Sequence, residues 1–175
     1  RPRRRPPGRQ NRGLNPVASP YIAHPPRPPQ WRALGSSIHP GNVRHGIFDE
    51  VHWVGPVEAV DACRRLARGS FVSGGWSTGA VALVSAWAAR AEPGAVVATV
   101  FPDGPHRYLG TVYDDSFCHA HGLTDSTPAT RPLEIPHPRA AEALGWTRCR
   151  TVLAPLAERP DASPAAPVPA QGGAA

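Results

Sequence analysis

The stretch S-G-G-W-S-T-G-A, residues 73–80, places two kinds of chemistry in eight positions. Ser77 sits in G-W-S-T-G, which fits the G-x-S-x-G pattern of a nucleophile elbow, where a sharp turn lifts a serine hydroxyl above a sheet. The same residues, Ser73, Gly74, Gly75, Ser77, Thr78 and Gly79, stand at the mouth of a helix, whose free N–H groups and dipole can hold an anion. The spacing is neither G-x-x-x-x-G-K-[ST] nor G-x-G-x-x-G. The alternative that needs no ligand is a tight strand-to-helix turn capped by Ser77 or Thr78. Composition alone leaves these readings open.

Other reactive side chains offer less. Asp49/Glu50 and Asp114/Asp115 read as solvated neighbours rather than catalytic pairs. His119 and His121 form a His-x-His with no Cys or carboxylate at a metal-site spacing, which points to a surface or structural role. The sequence by itself yields no complete catalytic constellation and no metal site.

The elements that must carry these residues follow from periodicity. Residues 47–54, IFDEVHWV, are rich in strand formers and stop at Gly55-Pro56. Residues 56–69 read as a helix, with Pro56 in the first turn, Glu58 and Asp61 toward its N-terminal end, and Arg64, Arg65 and Arg68 toward its C-terminal end. Ala59, Ala62, Cys63, Leu66 and Ala67 form its apolar stripe. A short strand-like piece at Phe71 and Val72 leads into the glycine turn. The helix that follows, about residues 77–91, is apolar nearly all round, which predicts burial on both sides. Residues 95–101, AVVATVF, form a continuous apolar run of the kind found in central parallel strands. Residues 106–123 begin with a turn and end in a short helix. The order of these elements predicts an α/β fold with a parallel sheet.

Proline bounds the compact part. Of 23 prolines, ten lie in residues 1–40 and nine in 128–175, which leaves four for the 87 residues between. The expected division is a disordered Arg/Pro-rich arm at 1–30, a folded portion at 31–123, and a largely irregular Pro/Ala-rich tail at 124–175. The net charge of +6 is confined to the first twelve residues, which hold six Arg and no acid. The remainder carries 13 Arg and 13 acidic residues, so the folded portion has no charge reason to seek nucleic acid. Three cysteines without short spacing, and no apolar run near ~20 residues, predict a reduced, cytoplasmic, membrane-free protein. The chain holds neither Lys nor Met, and without an initiating Met it is expected to be a fragment or a processed product.

Five short motifs in order carry a resemblance. They are Ala33-Leu34-Gly35, Asp49-Glu50-Val51, Glu58-Ala59 through Arg64-Arg65-Leu66-Ala67, Gly74-Gly75-Trp76-Ser77-Thr78-Gly79, and Pro102-Asp103-Gly104 through Arg107-Tyr108-Leu109. Over about residues 15–123 the chain resembles the C-terminal half of the cysteine synthase family. These are pyridoxal-phosphate enzymes of fold type II, related to cystathionine β-synthase and the diaminopropionate synthases.

The resemblance implies part of a parallel-sheet domain of the tryptophan synthase β-like fold. It also implies β-replacement or β-elimination on a small amino acid of the O-activated serine type, with pyridoxal phosphate as electron sink. The implied cofactor-binding residues are Gly75, Ser77, Thr78, Asp103 and Gly104. The family presents a serine to the pyridine nitrogen at the position of Gly104. That nitrogen is then left to a backbone group or water, or to Asp103; the first is favoured, because Asp also stands beside the serine in relatives. Ala33 replaces the first glycine of the substrate loop.

One departure outweighs the others. With no Lys, the chain cannot form the Schiff base to pyridoxal, so no catalytic residue is assigned and inactivity alone is expected. The phosphate loop and the ring-contacting Asn of the family are also missing. The expected partners are a missing N-terminal half or a second copy. A docking or regulatory remnant and a Ser77 hydrolase remain the alternatives.

Overall fold

The structure, a computed structural model, describes residues 12–16, 47–136 and 145–150. Strand β1 (Arg12–Pro16) and strand β2 (Glu50–Val54) are followed by helices α1 (Pro56–Ser70) and α2 (Trp76–Ala91). A 3₁₀ turn (Pro105–Tyr108), helix α3 (Asp115–Ala120), and strands β3 (Leu133–Glu134) and β4 (Thr147–Cys149) follow. The strands form one sheet in the order β1-β2-β4-β3. The α/β class read from the sequence is what the chain adopts, with a small mixed sheet: β1 and β2 run parallel, as do β3 and β4, while β4 lies antiparallel to β2.

Local chemistry explains the two long helices. Pro56 occupies the first turn of α1, where a missing N–H costs nothing, with Glu58 at the positive end and Arg68 at the negative end. Phe71 ends α1 in the left-handed region at φ 55°. α1 buries Ala59, Val60, Ala62 and Cys63 against α2, which buries Trp76, Ala80, Leu83 and Val84. Gly79 sets their separation: a Cβ there would lie 2.0 Å from the carbonyl oxygen of Ala59. Asp114 caps α3 by accepting the Phe117 amide at 2.8 Å.

Several expectations change. Residues 95–101 form no strand, and Val96 and Val100 are 97% and 77% exposed. An apolar β-branched run becomes a strand only beside a ladder partner, and none pairs with it among the described residues. Phe71 and Val72 are likewise not a strand, because Phe71 is the left-handed cap of α1 and points to solvent. Among the described residues α2 is covered on one side, and Ala86 and Ala89 are exposed.

Conversely, β1 falls inside the arm expected to be disordered, and β3 and β4 fall inside the tail expected to be irregular. Glu50 is no solvated neighbour of Asp49: it is 5% exposed, set between Arg12, His52 and Arg148. The remaining expectations for residues 1–11, 17–46 and 151–175, including the loop at Ala33-Leu34-Gly35, lie outside the described residues.

Candidate functional site

The glycine turn is held from three sides. From α1, the thiol of Cys63 donates to the Gly75 carbonyl at 2.9 Å. Tyr113 brackets Gly74: its hydroxyl donates to the Gly74 carbonyl at 2.8 Å and accepts the Gly74 amide at 3.1 Å. From the loop after residue 101, the Asp103 carboxylate turns into the N-terminus of α2. It accepts the Gly75 amide at 3.0 Å and the Thr78 hydroxyl at 3.0 Å, together with the hydroxyl of Tyr108.

Helix starts leave N–H groups unpaired and carry a positive partial charge. A carboxylate placed there satisfies both needs, as an N-capping side chain does from within its own turn. Burial alone would push Asp103 upward. The Tyr108, Gly75, Thr78 and Ser77 donors outweigh it and hold the group below the usual carboxylate range. The same contact works in reverse on Tyr108, where burial and the neighbouring Asp103 charge push the phenol up to about 12. Burial raises the Cys63 thiol to about 12, so it stays protonated and serves as a hydrogen-bond donor.

The glycines have identifiable reasons. A Cβ on Gly75 would fall 2.1 Å from the ring of Tyr108, and one on Gly74 would fall 2.3 Å from Thr78 Oγ1. The space above the turn is therefore filled by the chain's own side chains. Of the five residues read as cofactor-binding, the structure gathers Gly75, Ser77, Thr78 and Asp103 around one carboxylate. Gly104 follows at the edge, where a Cβ would stand 3.1 Å from the His106 ring. Tyr108, Tyr113 and Cys63 complete the cluster. Tyr108 had a signal in the quoted R-Y-L motif; Tyr113 and Cys63 had none, because their roles depend on contacts 39 and 12 residues away in sequence.

Ser77 does not have the setting of a nucleophile elbow. No strand precedes it, and its hydroxyl serves Asp103. Among the described residues no group of three or more His, Cys, Asp or Glu is gathered around His119 and His121 or elsewhere. The His121 ring stacks on Phe117 at 4.1 Å instead. Among the described residues no helix is long and apolar enough to cross a membrane.

The α/β framework, with a glycine turn that opens an apolar helix and is closed by an Asp from the following loop, can be compared with known proteins. No protein-family model matches the chain. It is 32% identical over 109 residues to the N-(2-amino-2-carboxyethyl)-L-glutamate synthase of Cupriavidus metallidurans, covering 60% of this chain and 32% of that protein. It is 32% identical over 100 residues to the cysteine synthase of Staphylococcus aureus, covering 56% of this chain and 32% of that enzyme.

Among solved structures, O-ureido-L-serine synthase superposes with a TM-score of 0.54 at 30% identity, over 61% of this chain and 34% of that one. The cysteine synthase of Entamoeba histolytica, at 19% identity and a TM-score of 0.53 over 67% of this chain and 38% of that one, shares the fold. The resemblance read from the motifs is thereby shown: the chain is related to cysteine synthase-type enzymes. It spans about a third of the length of the curated relatives it matches.

Pyridoxal phosphate does not fit the residues of this chain by themselves. The anion position at the start of α2 already holds the Asp103 carboxylate. The site also lacks an amine, because none of the 175 residues is Lys.

Proposed function

We propose that this chain builds one wall of a pyridoxal-phosphate site in a cysteine synthase-type enzyme, and that the lysine which must hold the cofactor comes from polypeptide outside these 175 residues. The observation that carries the reading is the Asp103 clamp on the glycine turn, in a chain 32% identical to two curated synthases. In this reading the turn at Gly75, Ser77 and Thr78 and the loop at Asp103 and Gly104 border the cofactor without holding its phosphate. With Asp103 engaged at the α2 N-terminus, the backbone of Gly104 would be the group of this loop left to help hold the cofactor.

The substrate class follows from the relatives' names. Cysteine, O-ureido-L-serine and N-(2-amino-2-carboxyethyl)-L-glutamate each contain an alanine unit bearing sulfur, oxygen or nitrogen on its β-carbon. Replacement at the β-carbon of an activated serine is the reaction class they share, with this chain inactive alone. The exposed run at 95–101 and the open side of α2 support a further polypeptide as their cover. We place the assembled enzyme in the cytoplasm, free of membrane and nucleic acid.

Titration of the purified chain with pyridoxal phosphate tests the lysine argument. The expected spectrum is that of free cofactor, with no visible Schiff-base band that an amino-acid donor discharges. A stoichiometric, dischargeable band overturns it. Ser77→Ala is expected to leave any esterase background unchanged, and its loss would restore the hydrolase reading.

A further inference from the structure

A second polar cluster, on β2 beside the C-terminal half of α2, takes no part in the glycine turn. His52, in the middle of β2, is 0% exposed, and both ring nitrogens are engaged. The indole N–H of Trp146 donates to Nδ1 at 3.2 Å, and Nε2 lies 3.1 Å from Glu50 Oε1. An indole nitrogen only donates, so Nδ1 must offer its lone pair and the ring proton must sit on Nε2, facing the carboxylate. The partners fix the neutral ring and its tautomer together.

Charged groups approach the Glu50–His52 pair from both strands that flank β2. Arg12 of β1 bonds both Glu50 and Glu92, and Arg148 of β4 bonds Glu50 at 3.4 Å and Glu134 at 2.6 Å. Trp87 of α2 meets the His52 ring edge-on at 5.4 Å and lies 4.7 Å beneath the Arg148 guanidinium. Glu50 favours an imidazolium, while the Arg12 and Arg148 guanidiniums, each shared with a second carboxylate, oppose a further positive charge beside it.

We propose that His52 and Trp146 form an acid-released latch: a proton on Nδ1 sets N–H against N–H, and the segment 145–150 separates from β2. Among the described residues β4 is joined to β2 by three ladder pairs, the Arg148–Glu50 bond and the Trp146–His52 bond, so the latch is a substantial share of that junction. Burial, Arg148 and Arg12 hold the imidazole below its ordinary 6.5, with Glu50 pulling the other way. Release also withdraws Arg148 from Trp87, and so passes the change to α2.

The full chain, followed from about pH 8 to about pH 5 by tryptophan fluorescence and by long-range proton–nitrogen NMR of the histidine rings, decides the matter. At high pH the Nε2–H tautomer of His52 is expected. On acidification, protonation of Nδ1, a red shift of tryptophan emission, and loss of the cross-strand contact between Trp53 and Thr147 should share one midpoint below 6.5. His52→Gln, whose amide offers Trp146 an acceptor and Glu50 a donor, should remove the transition. Trp146→Phe should raise the midpoint of His52 protonation. The proposal fails if His52 gains its second proton with the cross-strand contact intact, or stays neutral and latched to about pH 5. An unchanged transition in His52→Gln also overturns it. Should that variant not fold, the NMR titration of the unaltered chain decides alone.

Discussion

The Asp103 carboxylate accepts the amide of Gly75 at 3.0 Å, so a loop residue 28 positions further along the chain closes the start of α2. An Asp→Ala change there removes a helix cap and the acceptor of the Thr78 and Tyr108 hydroxyls. The expected cost is about 1–2 kcal/mol, measured by denaturant unfolding, with Asp103→Asn retaining part of it. Asp103 is held below the carboxylate range, so its contribution is present above the ordinary 3.8 and is lost as pH falls through the folded value. A variant as stable as the parent at neutral pH would contradict the clamp.

Gly79 fixes the contact between α1 and α2. Gly79→Ala places a Cβ 2.0 Å from the Ala59 carbonyl oxygen, which belongs to the helix backbone and cannot swing aside. Destabilisation of about 3 kcal/mol is expected. Gly110→Ala, with nothing within 4 Å, is the matched control and should change stability by less than about 0.5 kcal/mol. Equal effects of the two would show that the helices are not in close contact.

Glu50 is the acid-sensitive group of the sheet. Burial raises it, but the hydrogen bonds from His52 and Arg12 and their charges prevail and bring it to about 2. Its stabilisation is therefore complete above 4.5 and drains away as pH falls toward about 2. Glu50→Gln leaves Arg12 and Arg148 short of a counter-charge and should cost about 3 kcal/mol, with the acid slope of the unfolding curve flattened. An unaltered slope would rule this out.

All three cysteines are buried, and Cys63 is pushed up to about 12. Thiolates are the reactive form. A disulfide reagent should label none of them in the native chain and all three after denaturation, as counted by mass spectrometry. Prompt labelling of Cys63 in the native state would mean that the glycine turn opens freely.

Thr147 carries a buried hydroxyl with no partner among the described residues, opposite Trp53, whose indole N–H is in the same condition. Thr147→Val removes an unpaired polar group while keeping the β-branched shape. It should be neutral or stabilising by up to about 1 kcal/mol. A clear loss of stability would reveal a hydrogen bond to that hydroxyl.

What the sequence disclosed is local. α1 was legible from Pro56, its charge gradient and its stripe, and α2 from the glycine turn that opens it; both match within a residue or so. Gly75, Thr78 and Asp103, which stand in ordered motifs, come together at the start of α2. What stayed hidden depends on long-range pairing. β1 exists because Arg12 lies beside Glu50 across 38 positions, and β4 because Trp146 reaches His52 across 94. No periodicity in five- and three-residue strands announces such contacts. The run at 95–101 fails in the opposite way: its residues have the propensity for a strand, and its ladder partner is not among the described residues.

The account is tested most directly by grafting the folded portion of this chain onto the Staphylococcus aureus cysteine synthase, in place of the third of that enzyme it matches. The chimera is predicted to bind pyridoxal phosphate with a visible band that an activated serine discharges, while the separate 175-residue chain stays colourless. A chimera that folds compactly, by circular dichroism and sedimentation, yet takes up no cofactor would contradict the claim that this chain is the wall of such a site.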